Sequence, residues 1–532
     1  MRTDQQQTSG DTVSSWHDTA QLPEYAPLKT NAQCDVCVVG AGIAGLSVAY
    51  HLTARGKKVV VVDDGPIGGG ETGRTTAHLA FAMDDGFTTL EKVHGEENTR
   101  LIAESHQAAV DTIERIAREE QIDCDFERLD GFLFLGGRDK PKLLEEERDA
   151  ARRAGLADVE LVPRVPIASF DTGPALRFPR HGQCHPLKYL AGLAKAIVAR
   201  GGRIYTGTHV EAIEDGDPVR VKTAARHIIL CDAAVAATNS PISDYLVTHI
   251  RQAPYRTYVI GARVPRGAVP TALYWDTTDP YHYVRVQRVG ERSDPASGSN
   301  TVYDLLLVGG EDHKTGQRDD AEERFRCLEE WARARFPQME EVTYQWSGQV
   351  LEPVDYLGLI GHNPQGGKHV YIATGDSGQG MTHGTIAGVL LADEIMGRAN
   401  RWARVYNPRR VTLSRSSLIE FAKENLNVAL KYAEWLTPGE LSSAEQIPKD
   451  SGAVLRRGLH KVAIYRDDKG KLHERSATCT HLRCVVSWNS AERSWDCPCH
   501  GSRFDPYGKV LNGPAIKDLE PAAAAERAEA AD

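Results

Sequence analysis

Six residues between Cys479 and His500 could carry metal or redox chemistry. The chain reads Ala477-Thr-Cys-Thr-His-Leu-Arg-Cys484 and then Trp495-Asp-Cys-Pro-Cys-His-Gly-Ser502. Four cysteines and two histidines in so short a span admit a zinc site, a disulfide staple or an iron–sulfur electron carrier. A structural zinc ion takes four ligands, commonly as C-x-x-C pairs. Here the pairs are Cys479-x-His481 and Cys497-x-x-His500, fifteen residues apart, and Cys484 and Cys499 are left over. That pattern fits a two-iron cluster in which Cys479 and Cys497 hold one iron and His481 and His500 the other. Neutral imidazoles in place of two thiolates raise the reduction potential.

A second constellation lies near the start. Asp35-Val-Cys-Val-Val-Gly40 reads as a buried strand and runs into Gly40-Ala-Gly42-Ile-Ala-Gly45 and an amphipathic helix to about Arg55. The apolar run 58–62 follows and ends in Asp63, 18 residues past Gly45. Gly40 permits the tight turn, Gly42 lets backbone approach a pyrophosphate, and Gly45 lets helix and strand pack closely. The helix N-terminus offers unpaired N–H groups to phosphate, and Asp63 can accept hydrogen bonds from a ribose. The motif alone admits NAD or FAD. A third stretch, Tyr281-His-Tyr-Val-Arg-Val-Gln287, alternates so that Tyr281, Tyr283, Arg285 and Gln287 share a face. Tyr283 and Arg285 are the candidate catalytic residues, with the Arg285 fork suited to a substrate carboxylate. His78, Trp346, Glu352 and His383 are weaker candidates. Cys34 and Cys37 form a C-x-x-C, but within a β-type run residues three apart point to opposite faces, so they read as ordinary buried thiols.

Further stretches decide between the dinucleotides. Ile67-Gly-Gly-Gly-Glu-Thr-Gly-Arg-Thr-Thr-Ala77 resembles the segment with which the D-amino-acid oxidase and glycine oxidase family wraps FAD, which implies contacts from Gly73, Arg74, Thr75 and Thr76. Tyr371-Ile-Ala-Thr-Gly-Asp-Ser-Gly-Gln-Gly-Met-Thr-His-Gly-Thr385 resembles the strand, turn and helix that return to the flavin, implying Gly375, Gly378, Gly380, Met381 and Thr382. A positive helix end there suits the charge of a reduced flavin. Ala233-Ala-Val-Ala-Ala-Thr-Asn239 looks like the strand before another FAD-contacting turn. Val210 falls where the family contacts adenine through its backbone. The cysteine-rich region is similar to the cytochrome bc-type Rieske subfamily, which Gly501-Ser502 and Asn512-Gly-Pro-Ala515 also match. That likeness implies a [2Fe–2S] cluster and a Cys484–Cys499 disulfide. Two departures stand out: Phe504 replaces a customary tyrosine, and Arg483 a customary glycine. Loss of a tyrosine hydrogen bond to a cluster cysteine predicts a potential below that of tyrosine-bearing relatives.

The elements that must position these residues follow from the rest of the chain. At 532 residues, two or three domains are expected. The formal charge of −10, from 73 acids and 63 bases, argues against a general nucleic-acid binder. No apolar run is long enough to span a bilayer, and the polar start has no signal-peptide pattern, so the cytoplasm is the expected compartment. The expected fold is an α/β FAD-binding domain (Rossmann-like, glutathione-reductase-type) with an inserted β-rich substrate domain, plus a C-terminal all-β Rieske domain. The expected divisions are a polar leader over 1–29, the oxidoreductase over 30–405, a helical linker over 406–452, the Rieske domain over 453–522 and a tail over 523–532. Disorder is expected from 516 on. Helices are expected at 86–119, 139–155, 186–200, 318–336, 381–397 and 411–436. The last carries Leu413, Leu418, Ile419, Leu426, Leu430 and Trp435 and could clamp the two domains together. The resemblance implies oxidation of the C–N bond of an amine or amino acid, with single electrons passing through the cluster to an external protein, quinone or oxygen. The reverse flow, a redox sensor and a homo-oligomer are all compatible with the same residues.

Overall fold

The computed structural model describes residues 9–242, 248–289, 292–293, 300–412 and 414–522. Leu413 and the tail 523–532 lie outside the described residues. The strand Val36–Val39 is buried at every position and pairs in parallel with Val59–Val62 and Ala233–Ala236. The full sheet runs Leu359–His362, Val370–Thr374, Ala233–Ala236, Val36–Val39, Val59–Val62, Arg203–Tyr205. Only its first pair is antiparallel. A sheet covered on both faces selects unbroken apolar strands, which is why these read as runs of Val and Ala. Helices Ile43–Thr53 and Gly380–Ile395 pack on it and on each other. A Cβ on Gly388 would lie 2.5 Å from Ser47 Cβ, so only glycine allows this approach.

The β-rich middle forms a nine-stranded mixed sheet whose long strands Val342–Pro353, Gln252–Pro265 and Tyr303–Lys314 lie side by side at one end. The helix Ala321–Arg335 covers one face through Phe325 and Leu328. The expected helix at 86–119 is two, Phe87–His94 and Glu96–Glu119, because Gly95 adopts φ +78° and turns the chain between them. Cys34 and Cys37 lie in one apolar cluster rather than on opposite faces, since Cys34 precedes the strand. The C-terminal domain stacks a three-stranded sheet (Ser451–Arg457, His460–Arg466, Leu472–Ser476) on a four-stranded one (Ser487–Asn489, Ser494–Asp496, Arg503–Phe504, Val510–Asn512). Residues 516–522 are ordered rather than tail: Leu519 is buried, and Ser476 N donates to Glu520 O.

Two connections hold the domains together. The helix Arg415–Lys431 does clamp them, though not through its leucines. Lys314 Nζ lies 2.5 Å from Glu424 Oε2, and Asn425 Nδ2 donates to Ile250 O. Beyond the helix, Tyr432 Oη and Trp435 Nε1 donate to the carbonyls of Leu482 and Arg483. Leu418, Ile419, Leu426 and Leu430 instead face outward and are more than half exposed.

The second connection is the leader, which is not a loose segment from Ser9 on. Trp16 is fully buried, and Thr12 Oγ1 and N both donate to the carboxylate of Glu492. Around that carboxylate lies a buried ion network. Arg74 Nη1 is 3.0 Å and Arg256 Nη1 3.6 Å from Glu492 Oε1. Arg256 Nη2 is 3.7 Å from Asp496 Oδ2, and Arg503 Nε is 3.1 Å from Asp496 Oδ1. Burial pushes the Glu492 carboxyl up, but the guanidiniums of Arg74, Arg256 and Arg503 outweigh it and hold it at about 2. Removing one partner of such a network leaves buried charge uncompensated. Glu492→Gln is therefore expected to cost about 3–5 kcal/mol in denaturant unfolding. Because the folded value is depressed, this contribution is complete above the ordinary carboxyl value of 4.5 and is lost as the pH falls toward about 2. Unfolding followed at stepped acid pH checks this: wild-type stability declines over that window, and that of the Glu492→Gln variant declines less.

Candidate active site and cluster site

A cavity of about 560 Å³ opens at the C-terminal ends of the parallel strands, within the usual range of roughly 300–1,000 Å³ for cofactor and small-molecule sites. Gly40 and Gly42 line one end. Gly40 sits at φ +111°, where a Cβ would lie 2.3 Å from Ala237 O. Gly45 does not reach the cavity: a Cβ there would meet Gly40 O at 1.9 Å, so it serves helix–strand packing. Asp63 lines the same end and accepts from Ala41 N and Gly65 N. Burial, helped by Asp64, pushes its carboxyl up to about 7. Arg74, Thr75, Thr76, Val210, Gly378, Gly380 and Met381 also face the cavity. Gly73, Gly375 and Thr382 lie behind the wall. Thr382 Oγ1 bonds His106 Nδ1 and donates to Gln379 O.

The third stretch is split by the structure. Tyr281 and Tyr283 line the cavity, their ring centroids 5.4 Å apart. Arg285 does not reach it. Its Nη1 donates to the carbonyls of Thr76, Ala77 and Cys184, and its guanidinium lies 5.3 Å over Trp16. The leader covers this end of the shared face, with Ser15 Oγ donating to Gln287 Oε1. Arg285 therefore braces the Thr76–Ala77 backbone and is not placed to clamp a substrate carboxylate. Burial alone pushes it down to about 10. His78 and His383 line the cavity, and burial lowers them to about 3 and about 4. Trp346 is packing: its Nε1 donates to Arg74 O.

Four carboxylates that sequence reasoning passed over, and Glu352, which it named as a weaker candidate, complete the wall. Asp84, Asp85, Asp312, Glu352 and Asp376 crowd one end. Burial raises Asp84 to about 6 against the hydrogen bonds from Tyr281 and Gln379; burial first, and Asp84 next, raise Asp85 to about 8; burial raises Asp312 and Asp376 to about 7. Asp84 is enclosed by protein yet open to the cavity itself. An acid pair closing the apolar run Ala80–Met83 was the available signal. The C-terminal domain also supplies wall: Val510, Leu511, Asn512, Gly513 and Ala515 line the cavity, and Asn512 Nδ2 donates to Glu71 Oε1.

The cluster loops 477–486 and 497–502 meet at the domain boundary. Each is closed by its own backbone, Cys479 N to Cys484 O and Cys497 N to Ser502 O, both 2.8 Å. The Cys484–Cys499 disulfide joins them. Cys479 and Cys497 hydrogen-bond each other, and the His481 and His500 rings are 5.2 Å apart. The buried Nδ1 of His500 has no hydrogen-bond partner, as a metal-facing nitrogen should not. Burial, with His481 and His249 nearby, lowers His500 to about 3, so its imidazole is neutral and available to ligate. These residues fit a Rieske cluster. Ser502 Oγ accepts from Ala515 N, which leaves its proton for Cys479. Arg483 sits at φ +61°, the left-handed region that explains why glycine is usual there. His249, from the other domain and without a sequence signal, packs edge-on at 5.1 Å from the His481 ring. Gln349 bridges the two sites. The residue lines the cavity, and its side-chain Nε2 donates to Gly501 O, next to His500.

Residues 35–394 match the family described as FAD dependent oxidoreductase (DAO), and residues 438–523 match the Rieske [2Fe-2S] domain. The chain belongs to the DAO family of FAD-dependent oxidoreductases and carries a C-terminal Rieske domain. It is 32% identical over 511 residues to the putative Rieske 2Fe-2S iron-sulfur protein YhfW of Bacillus subtilis, spanning 95% of this chain and 96% of that one. It is 29% identical over 411 residues to the gamma-glutamylputrescine oxidoreductase of Escherichia coli, spanning 73% and 90%. Glycine oxidase from Geobacillus kaustophilus superposes with a TM-score of 0.59 at 19% identity, over 72% of this chain and all of that one, which shows the shared fold. Among the described residues no helix is long and apolar enough to cross a membrane.

Hydrogen bonds to cluster sulfur stabilise the reduced form and raise the potential. Phe504 is fully buried in the strand after Ser502 and cannot donate one. Phe504→Tyr is expected to raise the cluster midpoint and Ser502→Ala to lower it. Redox titration followed by electron paramagnetic resonance reads both, and an unchanged midpoint in each variant would contradict the assignment.

Proposed function

We propose that this chain oxidises the C–N bond of an amine or amino acid and passes the electrons singly, through its own cluster, to a one-electron acceptor outside the chain, in the cytoplasm. Bound FAD would take a hydride from the substrate carbon, and the Rieske cluster would offer a one-electron outlet. The observation that carries this reading is Gln349, a single residue that borders the cavity and holds the backbone beside His500. Gly40, Gly42, Asp63, Thr75, Thr76, Val210, Gly378, Gly380 and Met381 would hold the flavin nucleotide. Cys479, Cys497, His481 and His500 would hold the cluster. The Val510–Ala515 loop keeps bulk water from one flank of the cavity. The similarity to the gamma-glutamylputrescine oxidoreductase of Escherichia coli supports the substrate class.

An ammonium must shed a proton before its carbon gives up hydride, because its nitrogen lone pair is otherwise tied. Asp85, raised to about 8 by burial and by Asp84, can take that proton near neutrality. The imine formed is then hydrolysed by water. Since the base must be ionised, anaerobic flavin reduction is expected to quicken as pH rises through about 8. A rate that falls over this range would remove the carboxylates from the reaction.

Stopped-flow mixing with amines tests the direction. Flavin bleaching followed by cluster bleaching is the expected order; cluster bleaching first, or from a donor protein only, reverses the flow, and no bleaching points to a sensor. Gly316 sharpens the test. It sits at φ +70°, and a Cβ there would lie 2.9 Å from Asp496 O and Pro498 N, at the cluster loop. Gly316→Ala wedges the domains apart and is expected to slow cluster bleaching severalfold while flavin bleaching keeps its rate.

A further inference from the structure

The cavity wall is specific about charge. Arg74 is the one Arg or Lys among the described residues lining it, and its guanidinium is committed to Glu492 and to Ser347 O. Arg285 is turned onto three backbone carbonyls. A substrate carboxylate would therefore meet no uncommitted cation. Facing it instead would be Asp84, Asp85, Asp312 and Glu352.

Those carboxylates are only partly satisfied. Asp84 accepts from Tyr281 Oη at 3.1 Å and from Gln379 Nε2 at 2.7 Å, and Glu352 accepts from Ser377 Oγ at 2.7 Å. Asp312 Oδ1 is buried and has no hydrogen-bond partner. Thr257, whose Oγ1 lies 2.8 Å from Tyr283 Oη, also hydrogen-bonds the Asp312 carboxylate, so it is Oδ1 alone that is left without a partner. Crowding buried carboxylates without a cation is costly, and a bound ammonium relieves both the repulsion and the empty acceptor. The faces of Tyr281 and Tyr283 add an attraction of the same sign.

The geometry points to an aliphatic diamine or polyamine as the substrate, with a second ammonium group held by Asp312 and Asp84 while the first amine reacts. This rests on the C–N oxidation reading above and narrows it away from α-amino acids. The reacting carbon gives up its hydride and the reacting nitrogen its proton as already described; the second ammonium keeps its charge and forms no bond.

Titration of the FAD-loaded full chain with 1,4-diaminobutane, n-butylamine and glycine tests this, read by the flavin absorption band and by thermal shift. Diaminobutane is expected to bind about tenfold or more tighter than butylamine, the scale of one desolvated charge-assisted contact. Glycine is expected to be weakest. Asp312→Asn is expected to bring the diamine-to-monoamine ratio toward one, and Asp312→Glu to restore part of it. Equal affinity for the two amines, tighter binding of glycine, or no binding by any of the three overturns the proposal. The wild-type ratio decides this even if a variant fails to fold. Diamine binding without flavin bleaching supports the cation site and sinks the oxidation reading instead.

Discussion

Glu492 is a carboxylate of the C-terminal domain buried among three guanidiniums, two of which belong to the flavin domain. Taking so many charges out of water is expensive, and only their mutual attraction and hydrogen bonds offset it. Parting the domains would expose Arg74 and Arg256 without their anion. The two redox sites are therefore components of one packed body. The Gln349 bridge, the His249 contact and the Val510–Ala515 wall all depend on that docking.

Docking in turn gives the cavity its character. With one flank closed by the cluster domain and Arg285 spent on backbone, the carboxylates are drawn out of bulk solvent, and Arg324, near Asp312, offsets only part of the burial. Burial, reinforced at Asp85 and Asp312 by Asp84, then brings Asp84, Asp85 and Asp312 close to neutral pH, and Asp85 can exchange a proton with a substrate amine. The same burial keeps His500 neutral and ready to ligate. One physical term thus prepares acid–base chemistry at one site and metal ligation at the other.

The local motifs were legible in the sequence because each obeys short-range geometry. Strand, glycine turn and helix place Gly40, Gly42 and Gly45, and the spacing of Cys479, His481, Cys497 and His500 brings them to two facing loops. Alternation put Tyr281, Tyr283 and Arg285 on one face, but alternation does not say what covers that face. Trp16, some 270 residues earlier in the chain, decided that Arg285 would point away from the cavity. The acidic wall was hidden for the same reason, since its members come from four separated segments. The outward leucines of the Arg415–Lys431 helix show the complementary error: an apolar stripe was legible, but its partner was not.

The contact between Thr12 and Glu492 spans 480 residues. At the usual pace of translation, about 5–20 residues per second, Thr12 leaves the ribosome roughly 25–100 s before its partner exists. Until then Arg74 and Arg256 have no anion between them. Closure of the flavin domain must therefore wait on the emergence of the cluster domain, and a nascent chain halted between them would present an open, cationic seam to chaperones and proteases.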